Sequence, residues 1–345
     1  MAIEERTTWP RLEAARSWLS GHDDPRTAVV VARLMASGPD DLAAARARLT
    51  GSSVVREAFA RQRPDGSWGE AEDARSRILP TLWMVKLLAE LGIDDGDDRW
   101  QAGVGFLAGR AHASTGVFSS DGTDAGVLSC YVGIAGETYL RGGRADLAEP
   151  QVAWIVRHQE IRVGGGSRRQ PTPVLWDERL RMRYGGCMAS TTCLIGLVKT
   201  GHALRRWLER SADEPASEML DATREVFLER RLLYRGDGSL LSLGGSGAQA
   251  ERWLEPAFPL DWHTDLVEVL DLVAVPGVAD ERVRPAIERL AATQLADGSW
   301  PLRVSYVPPD VPALERRSRQ RGSTFVTSRI VGVLDRLAEH GDTDP

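Results

Sequence analysis

Apolar residues recur along this chain at steps of three and four positions, the period of one face of an α-helix. One such face comprises Ile78, Leu82, Val85, Leu88 and Leu91. Segments of the same kind, rich in small and apolar residues, recur at about 25–36, 124–141, 187–206, 262–273 and 323–338. Strand signals are weak throughout. The pattern therefore predicts an all-α chain.

More amphipathic segments lie between these apolar ones, at about 40–61, 97–109, 146–158, 216–233 and 280–294. They carry Arg and Glu on one side, which is typical of helices with one solvent-exposed face. Alternating apolar and amphipathic helices predict an (α/α)6 toroid, a closed double ring whose inner helices line a central cavity. A linear solenoid is the alternative, but it would end in polar capping repeats. The last helical segment is apolar instead, with Phe325, Val326, Ile330, Val331, Leu334 and Leu337.

One short phrase, Q-x-x-D-G-S-W, occurs twice, as Gln62 to Trp68 and as Gln294 to Trp300. A recurring phrase indicates repeated structural units, here of roughly 58 residues each, enough for two helices and their loops. Asp-Gly is turn chemistry. Gln and Trp offer an amide and a large flat surface that can tie one helix pair to the next. We therefore interpret the phrase as a structural staple.

Composition adds bounds on function. The chain has 42% hydrophobic and 27% charged residues and a net charge of −6, so nucleic acid is not an expected partner. Lys86 and Lys199 are the only lysines, which we attribute to coding bias. The start lacks an apolar run, no stretch approaches the ~20 apolar residues of a membrane span, and three cysteines make no disulfide framework. A cytoplasmic protein is expected, with peripheral membrane contact left open.

The domain prediction is one toroid over residues 1–345. Residues 1–23 form an N-terminal extension in this prediction, and the polar segments 162–181 and 303–322 are loops over the mouth of the ring.

The Q-x-x-D-G-S-W phrase resembles the repeat of squalene–hopene cyclases and related class II terpene cyclases, and protein prenyltransferase β subunits share the toroid that the resemblance implies. The similarity covers about residues 24–340. The stretches 183–193 and 258–271 resemble bacterial single-toroid proteins that carry the same repeat. The resemblance implies an enzyme that acts on an apolar, isoprenoid-derived small molecule. One fold hosts several activities, however.

The chain also departs from these families. Class II cyclases carry a D-x-D-D motif just before an inner helix, and the corresponding place here reads Leu260 to Asp265 without that motif. The acidic run Asp94 to Asp98 is better explained as a solvated turn and helix N-cap. Prenyltransferases bind zinc through Asp-x-Cys, which does not occur. The chain length suits one toroid, whereas squalene cyclases have two.

The first candidate site is the acidic segment Asp261-Trp262-His263-Thr264-Asp265. Helical spacing would place Asp261 and Asp265 on one face. Two nearby carboxylates in an apolar cavity cannot both ionise cheaply, so one would retain a proton and act as general acid. His263 would orient it, and Trp262 would offer a π face to a cationic intermediate. The structural alternative is that Asp261 caps the helix and Asp265 pairs with an arginine.

Further candidates for substrate contacts are Tyr184, Cys187, Asp124, Tyr131 and Trp83. Tyr184 and Cys187 flank a Gly-Gly pair before an apolar helix. Asp124 precedes the helix that carries Tyr131, and a capping role is its alternative.

No cofactor is expected. Zinc remains an alternative, with Cys187, His263 and Asp265 as the least improbable ligands. Four functions stay open: a terpene-cyclase-like enzyme using Asp265 or Asp261, a zinc-dependent transferase or cyclase, a carbohydrate enzyme with paired carboxylates in an aromatic-floored cleft, and a non-catalytic scaffold.

Overall fold

The structure is a computed structural model that describes residues 9–159, 161–163, 166–167, 193–241, 243, 251–275, 280–308 and 310–338. These residues are helical apart from turns, loops and a two-residue antiparallel strand pair, Arg162–Val163 and Gly166–Ser167. The predicted all-α class is confirmed. The helices of the described part are α1 Leu12–Ser20, α2 Ala28–Leu34, α3 Pro39–Thr50, α4 Ser53–Ala60, α5 Ile78–Leu91, α6 Asp98–Arg110, α7 Ser129–Arg141, α8 Ala145–His158, α9 Leu194–Leu208, α10 Glu214–Leu228, α11 Leu266–Val273, α12 Arg284–Thr293 and α13 Thr324–Ala338.

Most helices lie where the periodicity places them, and the differences have local causes. The predicted helix at 40–61 is two helices, α3 and α4, interrupted at Gly51 and Ser52. Helix α11 starts at Leu266, four residues later than predicted, because the Asp265 carboxylate caps it there. Helix α1 lies inside the predicted N-terminal extension. Asp97 caps α6 by accepting from the amides of Arg99 and Trp100, as expected for that acidic turn.

The chain divides into two compact units. The first unit comprises Met1–Ser52, Glu225–Val307 and Ala313–Pro345, and it holds α1, α2, α3, α11, α12 and α13. The second unit comprises Ser53–Arg224 and Pro308–Pro312, and it holds α4 to α9 and most of α10. Residues 303–308 and 310–322 contain no helix, and most of the other predicted polar loop, 162–181, lies outside the described residues.

In the second unit, α7 packs closely against α9 and α8, and α5 packs against α6 and α7. The α7–α9 contact depends on Gly133, because a Cβ there would lie 2.5 Å from the carbonyl carbon of Lys199. Both lysines of the chain are buried in this unit, Lys86 at 5% and Lys199 at 2% exposure. Their burial was not predicted from composition.

Lys86 belongs to a cluster of charged groups on α5, α7 and α9. Its ammonium lies 2.6 Å from the Glu90 carboxylate, and Arg141 lies 2.6 Å from that of Glu137. Burial opposes ionisation of Glu137, but nearby cations led by Arg141 outweigh it and hold the pKa of that carboxyl well below its usual range. The cluster therefore pairs its charges internally, near helix C-termini that favour cations.

In the first unit, the last helix packs against the first ones. Helix α13 contacts α1, α2 and α11, and Arg16 of α1 lies 2.8 Å from Asp335 of α13. The backbone amide of Arg11 donates to the Gln294 side chain at 2.9 Å, and the Arg11 guanidinium donates to the Leu295 carbonyl at 2.6 Å. The first and last helices of the described residues thus meet inside one unit.

The two copies of Q-x-x-D-G-S-W make matching contacts. The Trp68 indole donates to the Ala58 carbonyl at 2.7 Å, and its amide donates to the Thr81 hydroxyl at 3.0 Å. Trp300 makes the same pair of bonds, to the Leu290 carbonyl at 2.8 Å and the Thr327 hydroxyl at 2.9 Å. Each phrase therefore joins the end of one helix to the following helix, which confirms its interpretation as a staple.

The glycine of each phrase allows a third helix to approach. Gly66 and Gly298 have φ of 85° and 93°, a left-handed conformation that favours glycine. A Cβ at Gly66 would lie 2.2 Å from the carbonyl oxygen of Ala102 on α6, and one at Gly298 would lie 2.6 Å from the carbonyl carbon of Ala14 on α1.

Within the described residues, no helix has the length and apolar character needed to cross a membrane.

Candidate functional site

The acidic segment predicted as the site lies in the first unit, alongside the loop that follows the second staple phrase. Ala257 and Val304 form a parallel bridge, and the amide of Tyr306 donates to the Pro259 carbonyl at 3.2 Å. The peptide bond between Phe258 and Pro259 is cis. Backbone contacts therefore hold residues 257–265 against residues 304–306, just before α11.

Asp265 is fully buried and accepts four hydrogen bonds of 2.7–3.0 Å. The backbone amides of Glu268 and Ala257 donate at 2.8 and 2.7 Å. Both terminal nitrogens of Arg329 donate as well, at 2.7 and 3.0 Å. Every partner is an N–H donor, which is the environment that a carboxylate requires. Asp265 thus both caps α11 and pairs with an arginine.

Asp261 has a different environment. Its Oδ1 accepts from the backbone amide of His263 at 2.8 Å and lies 2.5 Å from Nδ1 of the same imidazole. The side chains retain 15% and 31% exposure, so the pair is partly open to a ligand. Carboxyl and imidazole groups are the side chains that most often serve as general acids and bases in enzymes, so the pair is the candidate acid–base group of this site.

Three rings stack at this pair. The His263 ring lies 3.8 Å from the Trp262 ring on one side and 4.0 Å from the Tyr306 ring on the other, measured between centroids. The Arg252 guanidinium lies 5.7 Å from the Tyr306 centroid. Trp262 is 38% exposed, and Val307 beside Tyr306 is 37% exposed. Both stacking partners hold the imidazole in the plane where it meets Asp261, and Trp262 presents an apolar face outward.

The expectation that Asp261 and Asp265 share one helical face is wrong. Residues 261–264 precede the helix, and Asp265 is its extended N-cap with φ −132° and ψ 172°. Asp265 faces Arg329, while Asp261 pairs with His263. Backbone geometry therefore separates the roles of the two carboxylates.

Tyr306, Arg252 and Arg329 complete the site and were not predicted. Burial raises the pKa of Tyr306, and the negative charges of Asp265 and Asp261 raise it further, against the opposing effect of Arg252. A lone tyrosine in the polar loop 303–322 was the available signal. His263, on which Tyr306 stacks, lies about 40 positions earlier in the chain, and sequence periodicity does not reveal contacts over that separation.

The other predicted contacts lie in the second unit or outside the described residues. Trp83 of α5 and Tyr131 of α7 meet, with ring centroids 5.8 Å apart. Asp124 is exposed and accepts from the amide and hydroxyl of Ser114 at 2.9 and 2.8 Å, so it fastens a loop and does not cap α7. Tyr184 and Cys187 lie outside the described residues.

The described residues contain no group of three His, Cys, Asp or Glu side chains that could hold a metal ion. Three residues were considered as zinc ligands. His263 directs its Nδ1 to Asp261, and Asp265 is bound by Arg329. Cys187 lies outside the described residues.

Solved structures of the type II terpene cyclase MstE from Scytonema are similar to this chain. An unliganded variant is 15% identical, with 95% of this chain and 96% of that chain covered and a TM-score of 0.44. A variant in complex with merosterolic acid A, the product, is 14% identical over the same shares, with a TM-score of 0.46. A third, in complex with the substrate geranylgeranyl dihydroxybenzoate, is 16% identical over 83% of this chain and 95% of that chain, with a TM-score of 0.31. No protein-family model and no curated protein matches the chain.

Proposed function

We propose that this protein is a terpene-cyclase-like enzyme that cyclises or rearranges an apolar, isoprenoid-derived small molecule by acid initiation. The observation that supports the proposal is the contact of 2.5 Å between Asp261 Oδ1 and His263 Nδ1, beside the exposed face of Trp262. The staple phrase, which resembles the repeat of class II terpene cyclases, points to the same reaction class.

In the proposed reaction, Asp261 donates the proton. The carboxyl O–H transfers to an alkene carbon or an epoxide oxygen of the substrate, and a carbocation forms as the carboxylate is left behind. The cyclised cation then loses one proton to a base. Because one proton was added and one is lost, an alkene substrate yields a product of equal mass. His263 orients the carboxyl and exchanges its proton.

Aromatic faces contribute to the same chemistry. The Trp262 ring carries negative charge on its faces, and its exposed part can attract a carbocation nearby. Asp265 has a supporting role in this proposal, because four N–H donors from the protein already bind its carboxylate. It fixes the start of α11 and the position of Arg329.

The test is conversion of a defined set of substrates: squalene, geranylgeranyl diphosphate and geranylgeranyl dihydroxybenzoate. The wild-type protein should convert at least one into a cyclic isomer, detected by mass spectrometry after chromatography. Asp261→Asn should lower the rate by about 10²–10⁴-fold, the usual contribution of a general acid. His263→Phe keeps a flat ring but lacks the nitrogen that contacts Asp261, so it should lower the rate by a comparable factor.

Asp237→Asn is the matched control. This aspartate lies in an exposed turn of the first unit, where it accepts from the Ser239 amide and hydroxyl, and its replacement should leave the rate unchanged. Unchanged turnover in Asp261→Asn would exclude Asp261 as the acid. If the wild-type protein converted none of the three substrates, a non-catalytic scaffold would be the better interpretation.

A further inference from the structure

A pocket lies in the first unit, and neither Asp261 nor His263 is among the residues that line it. Its cavity volume is about 620 Å³, within the range of small-molecule sites. Three segments form it: the connection between α1 and α2, the aspartate of the second staple phrase, and the loop before α13. The lining residues are Trp18, His22, Asp23, Asp24, Pro25, Arg26, Asp297, Glu315, Gln320, Arg321, Gly322 and Thr324.

The walls of this pocket are fixed by their own contacts. Arg26 binds Asp24 through two nitrogens at 2.8 and 2.6 Å, and it also donates to the Leu314 carbonyl. The Thr324 hydroxyl donates to Asp24 at 3.2 Å. Gly322 fits tightly, because a Cβ there would lie 2.2 Å from the Ser299 hydroxyl oxygen. The pocket is therefore formed before any ligand arrives, which lowers the entropy cost of binding.

The carboxyl groups on the walls already have hydrogen-bonding partners within the protein. Of the four carboxyl groups, Asp24 is paired with Arg26 and Asp23 with Arg48. The Asp297 carboxylate accepts from the Ser299 amide and hydroxyl at 3.0 and 2.6 Å, and from Trp18. Because protein donors already bind these carboxylates, a ligand gains mainly by adding hydrogen bonds to them, which the hydroxyl groups of a neutral molecule can supply.

The remaining groups are hydrogen-bonding groups of both kinds. Glu315 is half-buried, and its Oε2 accepts from the Ser323 hydroxyl at 2.6 Å. Burial raises the pKa of Glu315, although Ser323 and the charge of Arg26 oppose this. Gln320 and Arg321 are exposed, line the same pocket and carry hydrogen-bond donors.

Two aromatic rings also line the pocket. The partly buried Trp18 ring stacks on His22 with 3.7 Å between centroids, and both line the cavity. Aromatic rings bind the C–H faces of ring-shaped polar molecules through apolar contact, while the surrounding acceptors and donors bind hydroxyl groups.

We propose that this pocket binds a neutral, polyhydroxylated ligand such as a saccharide, with its ring against the stacked pair of Trp18 and His22 and its hydroxyl groups bonded to Glu315, Gln320 and Arg321. The site is distinct from the proposed proton donor and does not depend on any cyclase activity. Its test is consequently a binding measurement.

The full-length protein would be titrated calorimetrically with glucose, cellobiose and maltose, and separately with choline and pyrophosphate as ionic probes. We expect at least one saccharide to bind with a millimolar dissociation constant. Arg321→Ala should weaken it by about tenfold, the loss of one charged hydrogen bond. Arg317→Ala is the matched control, since Arg317 is exposed in the same loop and does not line the pocket.

Three outcomes would overturn the proposal: no saccharide binds, Arg317→Ala weakens binding as much as Arg321→Ala, or an ionic probe alone binds in an Arg321-dependent manner. Both variants change exposed side chains, so loss of folding does not confuse the comparison. Cyclase turnover can fail while saccharide binding succeeds, and the reverse, which keeps the two proposals separable.

Discussion

Replacement of Asp265 by Ala should destabilise the first unit more than any other single change at the candidate site. The fully buried carboxylate caps α11 and binds both terminal nitrogens of Arg329. Loss of a cap costs about 1 kcal/mol. Removal of one partner of a buried ion pair costs about 3–5 kcal/mol. The Arg329 side chain keeps 22% exposure and can partly hydrate, so the lower end applies. Because these contributions overlap, we expect a total near 3 kcal/mol.

Hydrogen exchange of the α11 amides, read by mass spectrometry, measures this loss locally and does not require the two units to unfold together. Asp261→Ala is the comparison. It removes bonds to His263 only, so its cost should be about 1 kcal/mol. The double variant Asp265→Ala/Arg329→Met should recover part of the stability, because it removes the stranded cation. Equal protection of α11 in Asp265→Ala and Asp261→Ala would refute the structural role of Asp265.

Two further predictions concern the staple glycines and a buried carboxyl. Gly66→Ala and Gly298→Ala should each cost about 1–3 kcal/mol from backbone strain alone, measured by urea denaturation, whereas Gly105→Ala, with no atom within 4 Å of its Cβ, should not destabilise. Equal stability of the three variants would contradict the close approach seen at the staples. Burial raises the pKa of Glu315, so the folded state binds its proton more tightly than the unfolded chain does. Stability from this group is full below the ordinary glutamate pKa and is lost as pH rises through the raised one. As pH rises through that range, the melting temperature of Glu315→Gln should therefore fall less than that of the wild-type protein. If the two proteins showed the same dependence of melting temperature on pH, the raised pKa of Glu315 would be contradicted.

Local signals predicted the helices well. The step of three and four apolar residues in α5 reflects one buried face, and that face does not depend on which partner covers it. The staple phrases could also be interpreted locally, because the Asp-Gly turn is encoded within four residues. Their aspartates indeed bind the following serine, as Asp65 binds Ser67 at 2.6 Å.

The candidate site was only partly predictable. The sequence singled out the segment from Asp261 to Asp265 by composition, but it treated the two carboxylates as equivalent members of one helical face. Arg329 settles their difference, and it lies 64 residues from Asp265. No short-range pattern encodes that pairing among the many arginines of the chain.

What the sequence determined by itself is periodic or local: an all-α chain, the two staples, the turn chemistry, and an acidic segment at the start of α11. The tertiary structure alone decided which carboxylate is fully paired, which one meets His263, that Tyr306 completes the ring stack, and that Trp18 and Glu315 border one pocket. The physical reason is that helices and turns follow from neighbours a few residues apart. Ion pairs, ring stacks and cavities instead arise when packing brings distant segments together.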